Sequence, residues 1–339
     1  MLIRSIRTTD FDALMTLASD SGVGVTTLPA NEERLTRRIA ASVASQAAAP
    51  DPANSSFVFV LENDEQAGQV VGICGIEGSV GLTEPWYTYR VGTAVHTSRE
   101  IGVYRRLDTL FLNNDLTGAA ELCSLFLHPE WRRDGNGSLL SKSRFLFLAE
   151  FPERFDRRVI AEMRGVSDEN GRSPFWESLG RHFFKMDFSE ADYLTGIGQK
   201  SFIAELMPQH PVYTAFLSDE ARAVIGKVHD NTLPALVMLE GEGFRYNNSV
   251  DIFDAGPTIE CPLPDIRAVR DSQVLTAKPE DETQGRTWMV ANRRLDDFRV
   301  CLAQTEPTPM GLPLTPALIA KLGIAPGDSV RAVLLSSKN

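Results

Sequence analysis

The run Arg132-Arg133-Asp134-Gly135-Asn136-Gly137-Ser138 joins cations and glycines at a point where a strand gives way to a helix. Backbone N–H groups in the first turn of a helix lack intrahelical acceptors, so such a turn can hold an anion, and a pyrophosphate suits it well. Gly135 and Gly137 permit close approach and unusual backbone angles, and the arginine at the start of the loop adds charge complementarity. The plainer alternative is a strand-to-helix turn in which the glycines only relieve strain. His229 can exchange protons near neutral pH, although its place beside Asp230 and Asn231 also suits a surface or helix-capping histidine. His96, His128, His182 and His210 show no ligand spacing, so no metal is expected. Cys74, Cys123, Cys261 and Cys301 are far apart and form no CxxC pair, which points to buried free thiols.

The elements that must position these residues are legible in outline. Ile3–Ile6 reads as a strand, and Thr9-Asp10 caps a helix carrying Phe11, Leu14, Met15, Leu17 and Ala18 at helical spacing. Glu32–Ala48 continues helically, and residues 47–56 read as a loop. Residues 57–61 and 70–76 are apolar runs flanking a polar segment, as in an antiparallel hairpin, and a strand-like region runs from Tyr87 to Val95. Glu121–Leu127 forms the strand before the glycine loop, and Leu139, Leu140, Phe145, Leu146, Phe147 and Leu148 give the following helix a strongly apolar face. Val159–Arg164 supplies another strand and Ser173–Leu179 a short helix. Helices are expected over Asp219–Val228 and Thr232–Glu240, and the last 73 or so residues read as β-rich with a helix at Leu314–Leu322.

Composition excludes several classes. A chain of 339 residues with 43% hydrophobic and 23% charged residues can bury a core and divide into two or three domains, which leaves disorder without support. The formal net charge of −11 opposes a nucleic-acid partner. The nearest approach to a basic patch, Arg132, Arg133, Lys142 and Arg144, surrounds a loop sized for a small phosphorylated ligand. No uncharged apolar run reaches the length of about 18 residues that a bilayer demands, and residues 1–4 lead directly into a polar amphipathic stretch, unlike a signal peptide. A cytoplasmic protein without a membrane partner is expected.

The loop and its flanking elements resemble the GNAT superfamily of acyl-CoA N-acyltransferases, whose motif is Arg/Gln-x-x-Gly-x-Gly/Ala between a strand and a long helix. A dinucleotide-binding loop fits less well, because it would show GxGxxG in a parallel βαβ unit. Longer stretches are similar to the arginine N-succinyltransferase family: Leu28–Glu32, Glu84–Tyr87, Phe111–Gly118, Glu162–Gly165, Ser173–Trp176, Ala204–Pro208 and Asp251–Pro257. The resemblance covers nearly all of residues 1–270. It implies succinyl transfer from succinyl-CoA to the α-amino group of L-arginine, the first step of arginine degradation by the succinyltransferase pathway. Succinyl-CoA is then a cosubstrate, with no tightly bound cofactor.

By the same resemblance, Leu125 and Leu127 expose backbone groups to the pantetheine arm, while Arg132, Gly135, Asn136, Gly137 and Ser138 hold the pyrophosphate. A backbone N–H near Leu125 receives the oxyanion. The tyrosine that serves many acetyltransferases as acid is replaced by Trp176, and His229, in Gly226-Lys227-Val228-His229, matches the family's proton donor. For the acceptor, Glu162 and Arg164 are candidates, with Asn114, Asp115 and Asp254 behind them; Arg90 is a candidate for the succinate carboxylate.

The expected fold is of the α/β (α+β) class, a GNAT-like mixed, mainly antiparallel sheet with flanking helices, plus a small C-terminal β-barrel-like domain. Its segments are residues 1–190 for the acyl-CoA-binding domain, 191–266 for an additional α/β segment carrying His229, and 267–339 for the β-rich domain. The Leu314–Leu335 stretch is similar to pieces of double-psi barrels, and no chemistry is assigned to it. Three other readings stay open: an ornithine-preferring succinyltransferase, a noncatalytic coenzyme A-binding subunit of a hetero-oligomer, and use of another acyl donor such as acetyl-CoA. Assembly as a homo-oligomer or with a related subunit is compatible with the family.

Overall fold

The two apolar runs at 57–61 and 70–76 do form an antiparallel pair, and both strands are buried along nearly their whole length because helices cover one face and a long apolar helix the other. The computed structural model describes residues 1–21, 27–47, 49, 51–66, 68–198 and 201–336. In chain order the strands are β1 (Leu2–Ser5), β2 (Ser56–Glu62), β3 (Val70–Glu77), β4 (Thr88–Ser98), β5 (Val103–Asn113), β6 (Ala120–Leu127), β7 (Arg158–Glu162), β8 (Val212–Tyr213), β9 (Arg245–Val250), β10 (Pro257–Pro262), β11 (Gln273–Pro279), β12 (Arg286–Ala291), β13 (Arg299–Thr305), β14 (Leu312–Leu314) and β15 (Ser329–Leu334). They form a continuous mixed sheet in the order β14-β11-β15-β12-β13-β1-β2-β3-β6-β7-β10-β9-β4-β5-β8. The expected mixed, mainly antiparallel sheet with helices on its faces is present.

Strands β9 and β10 lie between β7 and β4, so the chain after residue 191 completes the same sheet. In the C-terminal part the sheet does not close on itself. The edge of β13 pairs with β1 instead, Ile3 opposite Val300 and Arg4 opposite Arg299, which satisfies backbone groups that an open edge would leave exposed.

The feature that matters most for function is the parallel pair β6 and β7. It pairs through Ala120 with Val159 and Glu121 with Ile160, after which the strands part. Beyond that point β6 carries a bulge: Ser124 sits at φ 53°, and the register with β3 shifts between Ile73 and Gly75. Ser124 is held there by its N–H to Thr27 Oγ1 at 3.1 Å.

Helix Asn136–Glu150 covers one face of this parting. It is buried nearly all round, its polar residues Ser141, Lys142, Ser143 and Arg144 included, and its Leu and Phe side chains pack with Leu122, Leu127, Ala161, Met163 and Leu239 in one cluster. Helices Phe11–Ser21 and Glu32–Ala47 cover the opposite face, against Val58, Val60, Ile73 and Phe126. The sequence expects a helix over residues 219–228, but the helix ends at Val224 because Gly226 adopts φ 72°, incompatible with a continuing helix. Val228 then bridges to Gly165, and His229 leaves the helix for an extended segment beside the end of β7.

Candidate active site

Where β6 and β7 part, the gap becomes a cleft of about 280 Å³ that passes from one side of the sheet toward the other. The side toward helix Asn136–Glu150 is walled by Leu125, Ala161, Met163, Ala235 and Leu239, an apolar channel fit for an extended arm. Its lining also includes Glu121, Cys123, Glu162, Phe188, Asp192, Asp251 and Asp254, so acidic groups gather in the same cleft. Arg132, Arg144 and Arg164 supply its cations.

The glycine loop lies at one end. Gly135 takes a left-handed conformation, φ 77°, as the residue just before the helix, a geometry that favours glycine. Asn136 is buried, its Nδ2 donating to Trp131 O at 3.1 Å, which fixes the entry to the helix. Gly137 and Ser138 occupy the first turn, where no earlier helical turn supplies acceptors, while the N–H of Asn136 is taken by Arg133 O at 2.9 Å. Arg132 donates Nε to Leu127 O at 3.0 Å and is the residue of this loop that lines the cleft. Leu127 itself is buried beneath the loop, against Gly137 and Gly72.

His229 does not itself line the cleft, but it is bonded on both sides to residues that do. Its N–H donates to Arg164 O at 2.9 Å, and its Nδ1 accepts the N–H of Asn231 at 3.1 Å. The second bond occupies the Nδ1 lone pair, so the neutral ring carries its proton on Nε2. Partial burial, and then the charge of Arg164, push its pKa below the ordinary 6.5, with Asp230 opposing. The ring is therefore neutral at pH 7, and protonation must break the bond to Asn231. Long-range proton–nitrogen NMR of the ring should show the Nε2–H tautomer with a midpoint below 6.5, and turnover should acquire a further acid-side loss only as pH falls through that value. A midpoint above 6.5, or an Nδ1–H ring, would contradict this geometry.

A buried carboxylate holds the strand end in place. Asp254 accepts the N–H of Gly256 at 2.8 Å and that of Gly165 at 2.6 Å, and burial together with Asp251 raises its pKa well above the carboxylate range. The two loops approach so closely that a side chain on Gly256 would stand 2.1 Å from Met163 O. Glycine at this position lets residues 162–165 and 251–257 lock together.

The other candidates fall as follows. Glu162 and Arg164 line the cleft; Arg164 donates Nη2 to Ser167 Oγ at 3.0 Å. Asn114, Asp115 and Arg90 do not line it: Asn114 donates to Trp86 O, Asp115 O accepts from Arg158, and Arg90 lies on β4 opposite Phe111 and Ser249. Trp176 is fully buried with Nε1 bonded to Met186 O at 3.0 Å, so it is engaged elsewhere. All four cysteines are free and buried, and burial pushes the Cys123 thiol in the cleft up to about 12, which removes it as a nucleophile near neutral pH. Sequence reasoning missed Glu121, Arg144, Asp192 and Asp251. The one available signal was Arg144 itself, read from the sequence as part of the basic cluster around the loop and followed directly by the apolar run Phe145–Leu148.

No helix among the described residues is long and apolar enough to cross a membrane. Residues 1–268 match the family described as arginine N-succinyltransferase beta subunit, and residues 270–333 match its C-terminal domain. An arginine N-succinyltransferase of Escherichia fergusonii is 53% identical over 340 residues, covering 100% of this chain and 98% of that protein. One from Escherichia coli O139:H28 matches to the same extent. A solved structure, arginine/ornithine succinyltransferase subunit AI from Pseudomonas aeruginosa, is 36% identical over 99% of both chains, with a TM-score of 0.92. With its length matched throughout and its cleft built between parted strands, this chain belongs to the arginine N-succinyltransferase family.

Proposed function

We propose that this chain transfers the succinyl group of succinyl-CoA to the α-amino group of L-arginine. The observation that carries the reading is the full-length kinship to arginine N-succinyltransferases, in a chain whose cleft joins a helix N-terminus, an apolar channel and a cluster of acidic groups.

The first turn of helix Asn136–Glu150, with Arg132, Gly135, Asn136, Gly137 and Ser138, receives the pyrophosphate. The pantetheine arm runs along β6, bonding to backbone groups at Leu125 and Leu127, and the N–H of Leu125 receives the thioester oxygen. Glu162 and Arg164 hold the two ends of the acceptor, a cation and a carboxylate. The neutral amine attacks the carbonyl carbon: the C–N bond forms, the oxygen gains charge, then the C–S bond breaks. The nitrogen loses one proton and the sulfur gains one, with no redox change. His229 donates a hydrogen bond from Nε2–H to the sulfur as it departs, and the proton released by the nitrogen reaches the thiolate through solvent, so the ring stays neutral. Transfer is direct, since Cys123 is held as a thiol.

The test is CoA release from succinyl-CoA and from acetyl-CoA, each with arginine and with ornithine. Turnover with succinyl-CoA and arginine at least about tenfold above the other pairs supports the reading; each factor of ten is 1.4 kcal/mol of discrimination. An ornithine preference would favour the second reading; the name of the Pseudomonas protein gives both amino acids. Coenzyme A binding without turnover would mark a noncatalytic subunit. We further propose that the protein works in the cytoplasm, and that residues 1–190, 191–266 and 267–339 are its functional segments.

A further inference from the structure

Several buried cations among the described residues pair with carboxylates. Arg4 pairs with Asp10 and Glu62, Lys142 and Arg267 pair with Glu242, and Arg38 lies 3.6 Å from Glu77. Arg144 differs. It is 1% exposed, in the middle of helix Asn136–Glu150, and among the described residues no carboxylate forms an ion pair with it. Its Nε and Nη2 are spent on Ser141, at 2.9 and 3.0 Å to O and Oγ. Its Nη1 meets only the carbonyls of Gly75 and Cys123, both at 3.5 Å, a distance at which a hydrogen bond is weak. Glu121, buried in the same cleft, acts on this charge through space but lies outside ion-pair distance, and an arginine buried this deeply without a contacting counterion is costly; a ligand that brings the anion offsets the cost.

Its place identifies the anion. Gly75 and Cys123 face each other on β3 and β6 just before the bulge at Ser124, and Arg144 lines the cleft together with Leu125. Leu125 follows Cys123 by two residues across the bulge at Ser124, so the two lie at most about 7 Å apart. A succinyl group spans three carbon–carbon bonds of about 1.5 Å, so its two carbonyl carbons lie about 4 Å apart when extended. With a hydrogen bond at either end, a thioester oxygen on Leu125 N–H puts the free carboxylate within reach of the Arg144 guanidinium.

We infer that Arg144 binds the free carboxylate of the acyl donor and so selects succinyl-CoA over neutral acyl-CoAs. This rests on the succinyl-CoA reading above. An acetyl or butyryl group would leave the buried cation unpaired, and a site built around a polar partner rejects ligands that lack it.

The experiment compares kcat/KM for succinyl-CoA and butyryl-CoA, two chains of equal carbon count, in wild type and in Arg144→Met. The ratio is taken within each protein, so partial misfolding cancels. The expected result is a preference for succinyl-CoA in wild type that falls about 10- to 100-fold in the variant, as loss of a charge-assisted pair predicts, while affinity for free coenzyme A is unchanged. Should the variant not fold, affinities of wild type for thioether analogues of the two donors, with 2,3-butanedione modification blocked or not by the succinyl analogue and the protected arginine mapped by mass spectrometry, give the same decision. A wild type that prefers succinyl-CoA and a variant that keeps the preference, or protection at another arginine only, would overturn the assignment while leaving the proposed function standing. A wild type without the preference would overturn both.

Discussion

Replacing His229 by alanine is expected to lower kcat by about 10²- to 10⁴-fold, the usual worth of a positioned proton-donating group. Affinity for coenzyme A should not change, because the loop that receives the pyrophosphate, 132–138, lies on other elements. The side chain also caps the short turn Asp230–Thr232 through Nδ1, so the substitution carries a stability cost of about 1 kcal/mol that must be separated from the chemistry. His229→Asn separates them. Asparagine is a good cap and its oxygen can accept the N–H of Asn231, yet it ends short of the position of Nε2. Stability should return in His229→Asn while turnover does not. Single-turnover rates with succinyl-CoA and arginine, alongside thermal midpoints, check both parts. A loss of less than about tenfold in the alanine variant would remove His229 from the reaction.

How far the site was legible depends on what each residue needs. The glycine loop was readable because its requirement is local: positive φ at Gly135 and a helix starting at Asn136 are set within a few residues. The C-terminal helix was readable for the same reason, with Thr315 capping its start and Gly323 its end at φ 67°. His229 was found by kinship, whereas its setting was not, since the helix before it stops at Val224 and the pairing of Val228 with Gly165 joins residues distant in sequence. The cleft depends on where β6 and β7 stop pairing, which no local pattern encodes. Glu121 and Arg144 became visible as cleft residues only once the strands were seen to part. Arg144 in particular reads from sequence as part of a basic cluster around the loop. In the fold it points a buried charge at the same gap.

Removing the carboxylate of Glu242 is expected to destabilise the protein by about 3–5 kcal/mol, the range for breaking a buried ion pair by deleting one partner. Glu242 is 1% exposed at the end of helix Leu233–Glu242. Its oxygens accept Arg267 Nε and Nη2 at 3.1 and 2.8 Å and the N–H of Ala268 at 2.9 Å, and Lys142 Nζ lies 2.9 Å away. Glu242→Ala would leave Lys142 and Arg267 as buried, uncompensated cations. The two cations also reach the C-terminal strands, Lys142 donating to Leu335 O at 2.8 Å and Arg267 to Leu334 O at 3.0 Å. One carboxylate therefore ties together the helix behind the glycine loop, the helix that walls the cleft with Ala235 and Leu239, and the last strand. Glu242→Gln keeps the shape and an acceptor but not the charge, so its loss should be smaller. Urea midpoints of both variants, read with slopes, decide the matter. If Glu242→Ala shifts stability by less than about 1 kcal/mol, water or a rearranged partner has replaced the carboxylate, and the three elements are held by apolar packing alone. If the loss is large, turnover in the surviving folded fraction should still show a raised KM for succinyl-CoA, because Lys142 and Arg144 share the helix whose first turn receives the cosubstrate.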